Sequence, residues 1–368
     1  MKYYLSIDAG TSIIKTVIFN QDFKIKFKSS IENKVQTDSK GKSEINMRSF
    51  WSLTSKLIKS SLKKSKIKNI DIIGVGVTGN MVGVWPVNSK GKPVRNAILW
   101  NDARSKEIFD KIQKSNPKIY QKIFDLTGSI VQFGCTVPVI KWLEKNEPQI
   151  IKKTDYFLTC KDWIRLNLTN EFNNDHTERA VAPGDIKNAD LSLKIFKLLK
   201  LNKKYLNKFP QVKKSQDIAG YITSNAAKET GLLSGTPVIV GTGDVPASAI
   251  GVGAIHNNQT SSIIGTTCHN YLVSPKPIFF PKNSGLLFYS PNNQWLRTMI
   301  NVAGTTNLDW IVKNFFKEQL KYKSKFQILN EFEKNLKENN YLDNDIIYLP
   351  YLNYGGTISP FFNLNAKA

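Results

Sequence analysis

The chain has 368 residues and a mass of 41.6 kDa, is 41% hydrophobic and 11% aromatic, and so carries enough apolar material for two or three packed domains, which excludes a disordered or collagen-like chain. Its formal charge is +23, yet only six of its 52 basic residues are arginine (Arg48, Arg95, Arg104, Arg165, Arg179 and Arg297). Lysine lacks the planar fork that base edges and phosphates favour, and the lysines are spread along the whole chain, so the charge argues for general attraction of anions rather than a nucleic-acid surface.

The first thirty residues predict three strands, Tyr3 to Asp8, Ile13 to Asn20 and Phe23 to Lys28, broken at Ala9-Gly10-Thr11 and Gln21-Asp22. Helical spacing of Phe50, Leu53, Leu57, Ile58 and Leu62 predicts a helix over Met47 to Lys63. Strands follow at Asp71 to Val77 and Met81 to Val87, then a mainly helical stretch from Arg104 to about Lys200 with a strand near Tyr156. Another strand covers Ile218 to Ile222. At Thr236-Pro237 the chain starts afresh, which sets a domain boundary giving 1–235 and 236–368. Val238 to Val240 predict a strand, and a Pro246-initiated helix runs to Ala254. Strands then cover Ser261 to Ile264, His269 to Val273 and Gln294 to Val302, helices Thr306 to Gln319 and Phe326 to Lys337, and a last strand Ile346 to Leu349. No apolar run reaches 18 residues and Met1 to Ile7 lacks the layout of a cleavable signal. Cys135, Cys160 and Cys268 are odd in number and show no metal spacing, which reads as a reducing, cytoplasmic setting.

Two segments echo each other: Ile7-Asp8-Ala9-Gly10-Thr11-Ser12 and Ile263-Ile264-Gly265-Thr266-Thr267 both set Gly-Thr-Ser/Thr between apolar strands. A hairpin turn of that composition aims backbone N–H groups and hydroxyls at a phosphate, or is an ordinary turn. Asp8 is placed to hold a metal and Lys15 adds positive charge nearby. Asp244, after Gly241-Thr242-Gly243, lies at the carboxyl end of a strand, where it either takes a proton from a sugar hydroxyl or caps the Pro246 helix. Thr78 to Gly83 lines a polar pocket or forms a glycine bulge. Trp100 to Arg104 presents polar groups to hydroxyls or starts a helix. His176, His256 and His269 show no metal or triad spacing. Neither GxxxxGK[ST] nor an N-terminal GxGxxG occurs.

Taken in order, these stretches resemble the FGGY family of carbohydrate kinases over nearly the whole chain. IDAGTS with Lys15 resembles its first phosphate motif, IGVGVTGNMVG (Ile73 to Gly83) its sugar-contacting region, and AILWNDAR (Ala97 to Arg104) the motif after it. LTCKDWIRLNLTNEFNND (Leu158 to Asp175) resembles the PKDYLRYRLTGEFVTD segment, and Gly241 to Asp244 with Ala247-Ser248-Ala249 the GGGDNAASA block. Gly265-Thr266-Thr267 resembles the second phosphate loop, Ala303-Gly304 to Trp310 the segment approaching ATP, and Leu349 to Leu352 the LPYL strand.

The resemblance implies a duplicated α/β fold of the actin/hexokinase/heat-shock-chaperone (RNase H-like) type and ATP-dependent phosphorylation of a small sugar or polyol, with ketopentoses such as xylulose foremost. It implies Asp244 as catalytic base and Asp8 as the residue organising Mg²⁺. Gly10, Thr11, Ser12, Lys15, Gly265, Thr266, Thr267 and Gly304 would serve the nucleotide, and Asn80, Met81, Asn101, Asp102 and Asp244 would border the sugar. It implies no nucleic-acid or membrane partner and leaves a homo-oligomer open. Two departures stand out. Val82 and Asn80 occupy positions where the D-xylulose pattern has histidine and glutamine, and faint traits near Gly134 to Trp142 and Leu349 to Pro360 lean toward L-xylulose kinases. The chain also stops at Ala368, before the glycine-rich motif that holds adenine, so the resemblance implies a truncated second domain. A non-catalytic sugar-binding remnant and an actin-like ATPase of other function are the competing expectations.

Overall fold

Strand alternation builds the first sheet. Tyr3–Ala9 (β1) bury Leu5, Ile7 and Ala9, and Ile13–Asn20 (β2) bury Ile14, Thr16, Ile18 and Asn20; the two pair antiparallel with Asp8 opposite Lys15. Ile25–Glu32 (β3) adds to β2, and Ile72–Gly79 (β4) adds parallel to β1 with Thr78 beside Asp8. Ile218–Tyr221 (β5) and Pro237–Ile239 (β6) complete the order β5-β6-β4-β1-β2-β3. The computed structural model describes residues 1–265, 267–301 and 303–339. The expected strand at Ile346 to Leu349, and the Leu349 to Leu352 motif, lie outside the described residues.

Helix α1 (Met47–Ser65) begins at Asn46, whose side chain accepts from the Ser49 N–H at 2.9 Å, and ends where Lys66 turns left-handed. Its Phe50, Leu57 and Ile58 pack on Leu5, Ile7, Ile14 and Val75 of the sheet, and Cys160–Thr169 (α2) brings Trp163, Ile164 and Leu168 to the same core. A second core, with Phe109, Ile123, Ile140, Leu143 and Phe196, holds the helical stretch between residues 106 and 198. No helix among the described residues is long and apolar enough to cross a membrane.

Thr260–Ile264 (β7), Cys268–Ser274 (β8), Leu286–Ser290 (β9) and Gln294–Asn301 (β10) form a separate antiparallel sheet of order β7-β8-β10-β9. The echo of Gly-Thr-Ser/Thr thus corresponds to two antiparallel hairpins, β1–β2 and β7–β8. β9 is not predicted by the sequence reading. Its turn signal is Asn292-Asn293, both at positive φ, a conformation that asparagine tolerates. Thr306–Phe315 (α5) and Lys325–Asn339 (α6) follow.

Two expected strands change, and the sheet order bears on the expected boundary. β3 starts at Ile25 because Phe23 sits in the turn at φ 56°. The strand expected over Met81 to Val87 shrinks to Trp85–Val87, because Val82 and Gly83 take φ 54° and 71° and turn the chain. A boundary at 236 cuts ahead of β6, yet β6 is hydrogen-bonded into the first sheet between β4 and β5, and the second sheet begins only at Thr260.

The second sheet is joined to the helical stretch by polar contacts around one buried cation. Arg297 of β10 is 4% exposed and donates to the carbonyl oxygens of Gly128, Phe280, Pro281, Ser284 and Leu286 at 2.6–3.3 Å. Burial pulls its guanidinium down to about 10. Ser129 Oγ accepts from the Leu287 N–H at 2.8 Å beside it. Arg297→Leu would orphan five carbonyls, so it should lower the free energy of unfolding by more than about 3 kcal/mol, with Arg297→Lys recovering only part because a point charge cannot span the fork; urea unfolding of the three proteins checks this.

Candidate active site

The first hairpin turn is rigid. Asn33 donates to the Thr11 carbonyl at 2.9 Å and its N–H to the Ser12 carbonyl at 2.8 Å, while the Trp100 indole donates to Thr11 Oγ1 at 3.0 Å. Gly10 is needed for close approach: a Cβ there would lie 2.5 Å from the Ile13 carbonyl. Asp8, at the end of β1, keeps a third of its side chain exposed and pairs with Lys15 Nζ at 3.2 Å. In the second hairpin the Gly265 N–H donates to the Thr267 carbonyl at 2.8 Å, and Thr305 N–H to the Gly265 carbonyl at 2.7 Å. Gly304 leans on this turn so closely that a Cβ would meet the Gly265 oxygen at 2.3 Å. His269 Nε2 sits 2.9 Å from Thr267 Oγ1, and burial lowers its pKa. Thr266 lies outside the described residues.

Asp244 opens helix α4 (Asp244–Gly251), with Gly243 rather than Asp244 as the N-cap and no side-chain capping bond. The cap reading is therefore replaced: the carboxylate stands in the first turn and is half-buried. Burial, and then the charge of Asp8, push its pKa up to about 7 against the pull of the Asp244 and Val245 N–H groups. Asp8 and Asp244 thus share one electrostatic site, brought together because Thr78, the register partner of Asp8, donates through Oγ1 to the Thr242 carbonyl at 2.8 Å. Tyr271 of β8 faces the same site; burial, with the Asp244 charge, raises its phenol.

The loop before Asp244 rests on buried charge. Lys161 (0% exposed) pairs with Asp175 at 2.5 Å and Asp162 at 3.1 Å, and Arg165 with Asp162 at 2.7 Å. Although burial opposes ionisation of Asp162, Lys161 and Arg165 outweigh it and hold its carboxyl below the ordinary range. Arg165 Nη1 donates to the Val240 carbonyl at 2.5 Å. The other oxygen of Asp175 accepts from Thr177 Oγ1 at 2.6 Å, and Thr177 Oγ1 in turn accepts from the Gly243 N–H at 3.1 Å. Sequence reading assigned these residues no role; their signal was four charges within an otherwise apolar helix and the strand after it.

Several expected sugar-bordering residues point inward. Asn80 is 2% exposed and gives both its backbone and side-chain N–H groups to the Ala9 carbonyl. Met81 is buried against Gly243, where a Cβ would lie 2.4 Å from Met81 Cγ. The Asp102 carboxylate is wholly buried and consumed by the Ser43 N–H (2.7 Å) and by Arg104 N–H, Nε and Nη2 (2.7–2.9 Å), with Arg104 itself stacked 4.8 Å from the Trp142 ring. Asn80 and Asp102 are thus both bonded to neighbouring parts of the chain. Asn101 and Trp100 are exposed.

Residues 3–251 match the model of the N-terminal domain of the FGGY family of carbohydrate kinases. The chain belongs to that family. This FGGY chain is 27% identical over 320 residues to a probable L-xylulose kinase of Haemophilus influenzae, covering 86% of the chain and 65% of that protein. It is 28% identical over 322 residues to a xylulose kinase of Bacillus subtilis, covering 86% and 62%. A ligand-bound xylulose kinase from Lactobacillus acidophilus superposes with a TM-score of 0.85 over the whole chain and 71% of that structure, at 21% identity. The fold is thus the α/β actin/hexokinase-like type, and the chain spans less than two thirds of the length of these curated relatives. Lys161→Met would leave two buried carboxylates facing each other, so it should destabilise this FGGY chain by about 3–5 kcal/mol, which chemical denaturation measures directly.

Proposed function

We propose that the protein transfers the γ-phosphoryl group of ATP to a hydroxyl of a small sugar, a ketopentose such as xylulose, with Asp244 as the base. The observation that carries this reading is the Asp8–Asp244 pair between two glycine-rich hairpins, with the Asp244 carboxyl pushed up to about 7 by burial and by its neighbour. A base of that strength is near its optimum at neutral pH. Asp244 removes the proton of the sugar hydroxyl as its oxygen bonds to the γ-phosphorus, and the bond from that phosphorus to the bridging oxygen of ADP breaks. The N–H groups and hydroxyls of Gly10, Thr11 and Ser12, with Lys15, bind phosphate oxygens from one side, and Gly265, Thr266 and Thr267, backed by Gly304, from the other. Asn101 and Trp100, exposed beside the first turn, meet the sugar.

Two carboxylates fit Mg²⁺, which binds by one or two of them together with substrate phosphates; among the described residues no group of three or more His, Cys, Asp or Glu competes for it. Asp8 would hold the ion, which neutralises phosphate charge when bound. Xylulose is supported by the relatives' own activities, and Val82, an apolar residue where the D-xylulose pattern has histidine, supports the L-enantiomer over the D.

A coupled assay of the whole protein with ATP over D- and L-xylulose, other ketoses and polyols should show turnover, and Asp244→Asn should reduce it about 10²–10⁴-fold while sugar binding persists. Saturable binding without turnover would make it a sugar-binding module, and ATP hydrolysis indifferent to every sugar would make it an ATPase of other function. The raised Asp244 also bears on stability. The folded state holds its proton up to about pH 7, whereas the unfolded state releases it near pH 4, so stability falls as pH rises through that window. Asp244→Asn should therefore raise Tm at pH 8 and leave it unchanged at pH 4, as thermal melts across pH will show.

A further inference from the structure

Helix α3 (His176–Val181) carries adjacent residues that reach two different loops of the site. Thr177 Oγ1 accepts from the Gly243 N–H at 3.1 Å, directly before Asp244. Glu178 is 2% exposed, and its Oε2 accepts from the Val82 N–H at 2.8 Å. Val82 stands at φ 54°, a conformation in which a β-branched residue is strained, so something outside the loop must hold it there. Gly83 beyond it, at φ 71°, is pressed against the Ile98 carbonyl, where a Cβ would lie 2.4 Å away. Directly before these two, Met81 packs its side chain on Gly243. Loop 80–83 and loop 240–243 are thus tied to one short helix and to each other.

We infer that Glu178 is a positioning residue that, by holding Val82 in its left-handed conformation, sets the sugar-side loop 80–83 against the Asp244 loop and so governs sugar affinity. The inference rests on the proposed kinase reading. It assigns Glu178 no contact with substrate. What matters is reach: the acceptor oxygen must stand one full glutamate length from α3. Glutamine keeps that reach and an acceptor oxygen, while aspartate keeps the carboxyl and falls short by one methylene.

The test compares Glu178→Asp, Glu178→Gln and wild type. Glu178→Asp should raise the KM for sugar ~10-fold, the worth of one buried hydrogen bond, and leave the KM for ATP unchanged, whereas Glu178→Gln stays close to wild type. Without any ligand, hydrogen exchange at the Val82 amide should be slow in the wild type and in Glu178→Gln and fast in Glu178→Asp. Loss of sugar affinity in Glu178→Gln but not in Glu178→Asp, equal rises in both KM values, or a Val82 amide that exchanges fast in the wild type would each overturn the inference. A wild type that turns over no sugar removes the kinase reading instead, and the Val82 exchange rates then decide the role of Glu178 alone.

Discussion

The balanced charge cluster of Lys161, Arg165, Asp162 and Asp175 is the constraint on which the rest of the site depends. Two cations and two carboxylates, all wholly buried, cancel one another where no water can screen them, and two of them spend further hydrogen bonds on placing the chain around the site: Arg165 on the Val240 and Asn173 carbonyls, Asp175 on Thr177 and thereby Gly243. Such pairs add little net stability compared with a well-packed apolar core. Their value here is directional, because hydrogen bonds fix where a loop lies and apolar packing does not.

Glu178 is the fifth charge and breaks the balance. Its burial, together with Asp175 and Asp162, pushes its pKa up to about 8 despite the pull of Lys161. A carboxyl that keeps its proton near neutral pH leaves the cluster neutral, and it still accepts the Val82 N–H in either form. The cluster thus tolerates a fifth acid for the sake of one backbone conformation. Asp244 is likewise kept from ionising easily by burial and by a neighbouring carboxylate, at a cost to the folded state above neutral pH, the usual relation between reactive groups and stability.

The hairpins were legible in the sequence because alternation and glycine turns are local signals, and the order of the motifs identified the family for the same reason. Orientation was not local. Asn80, Met81 and Asp102 have the residue types of sugar contacts, but a buried Ala9 carbonyl, the bare face of Gly243 and the Arg104 guanidinium claim them first. Buried charges such as Lys161 read as surface positions until their partners, up to fourteen residues along the chain, are seen beside them. The strand Leu286–Ser290 was passed over because a run of apolar residues after prolines and lysines carries no period, and the fresh start read at 236 does not reveal that β6 enters a sheet whose other strands are mostly far behind it in sequence.

That last placement has a mechanical consequence. Val240 and Gly241 donate to the carbonyls of Asp217 and Ser215, Thr242 accepts from Thr78, and Gly243 donates to Thr177, so the segment carrying Asp244 is tied at every residue to β4, to the chain leading into β5 or to helix α3. The hairpin at Gly265 belongs to the other sheet. Any hinge motion between the halves would carry Asp8 and Asp244 as one rigid body and change only their distance to the second hairpin. On the proposed kinase reading, Asp244 would be preset against the sugar before such a motion, and the motion would bring the phosphate to both.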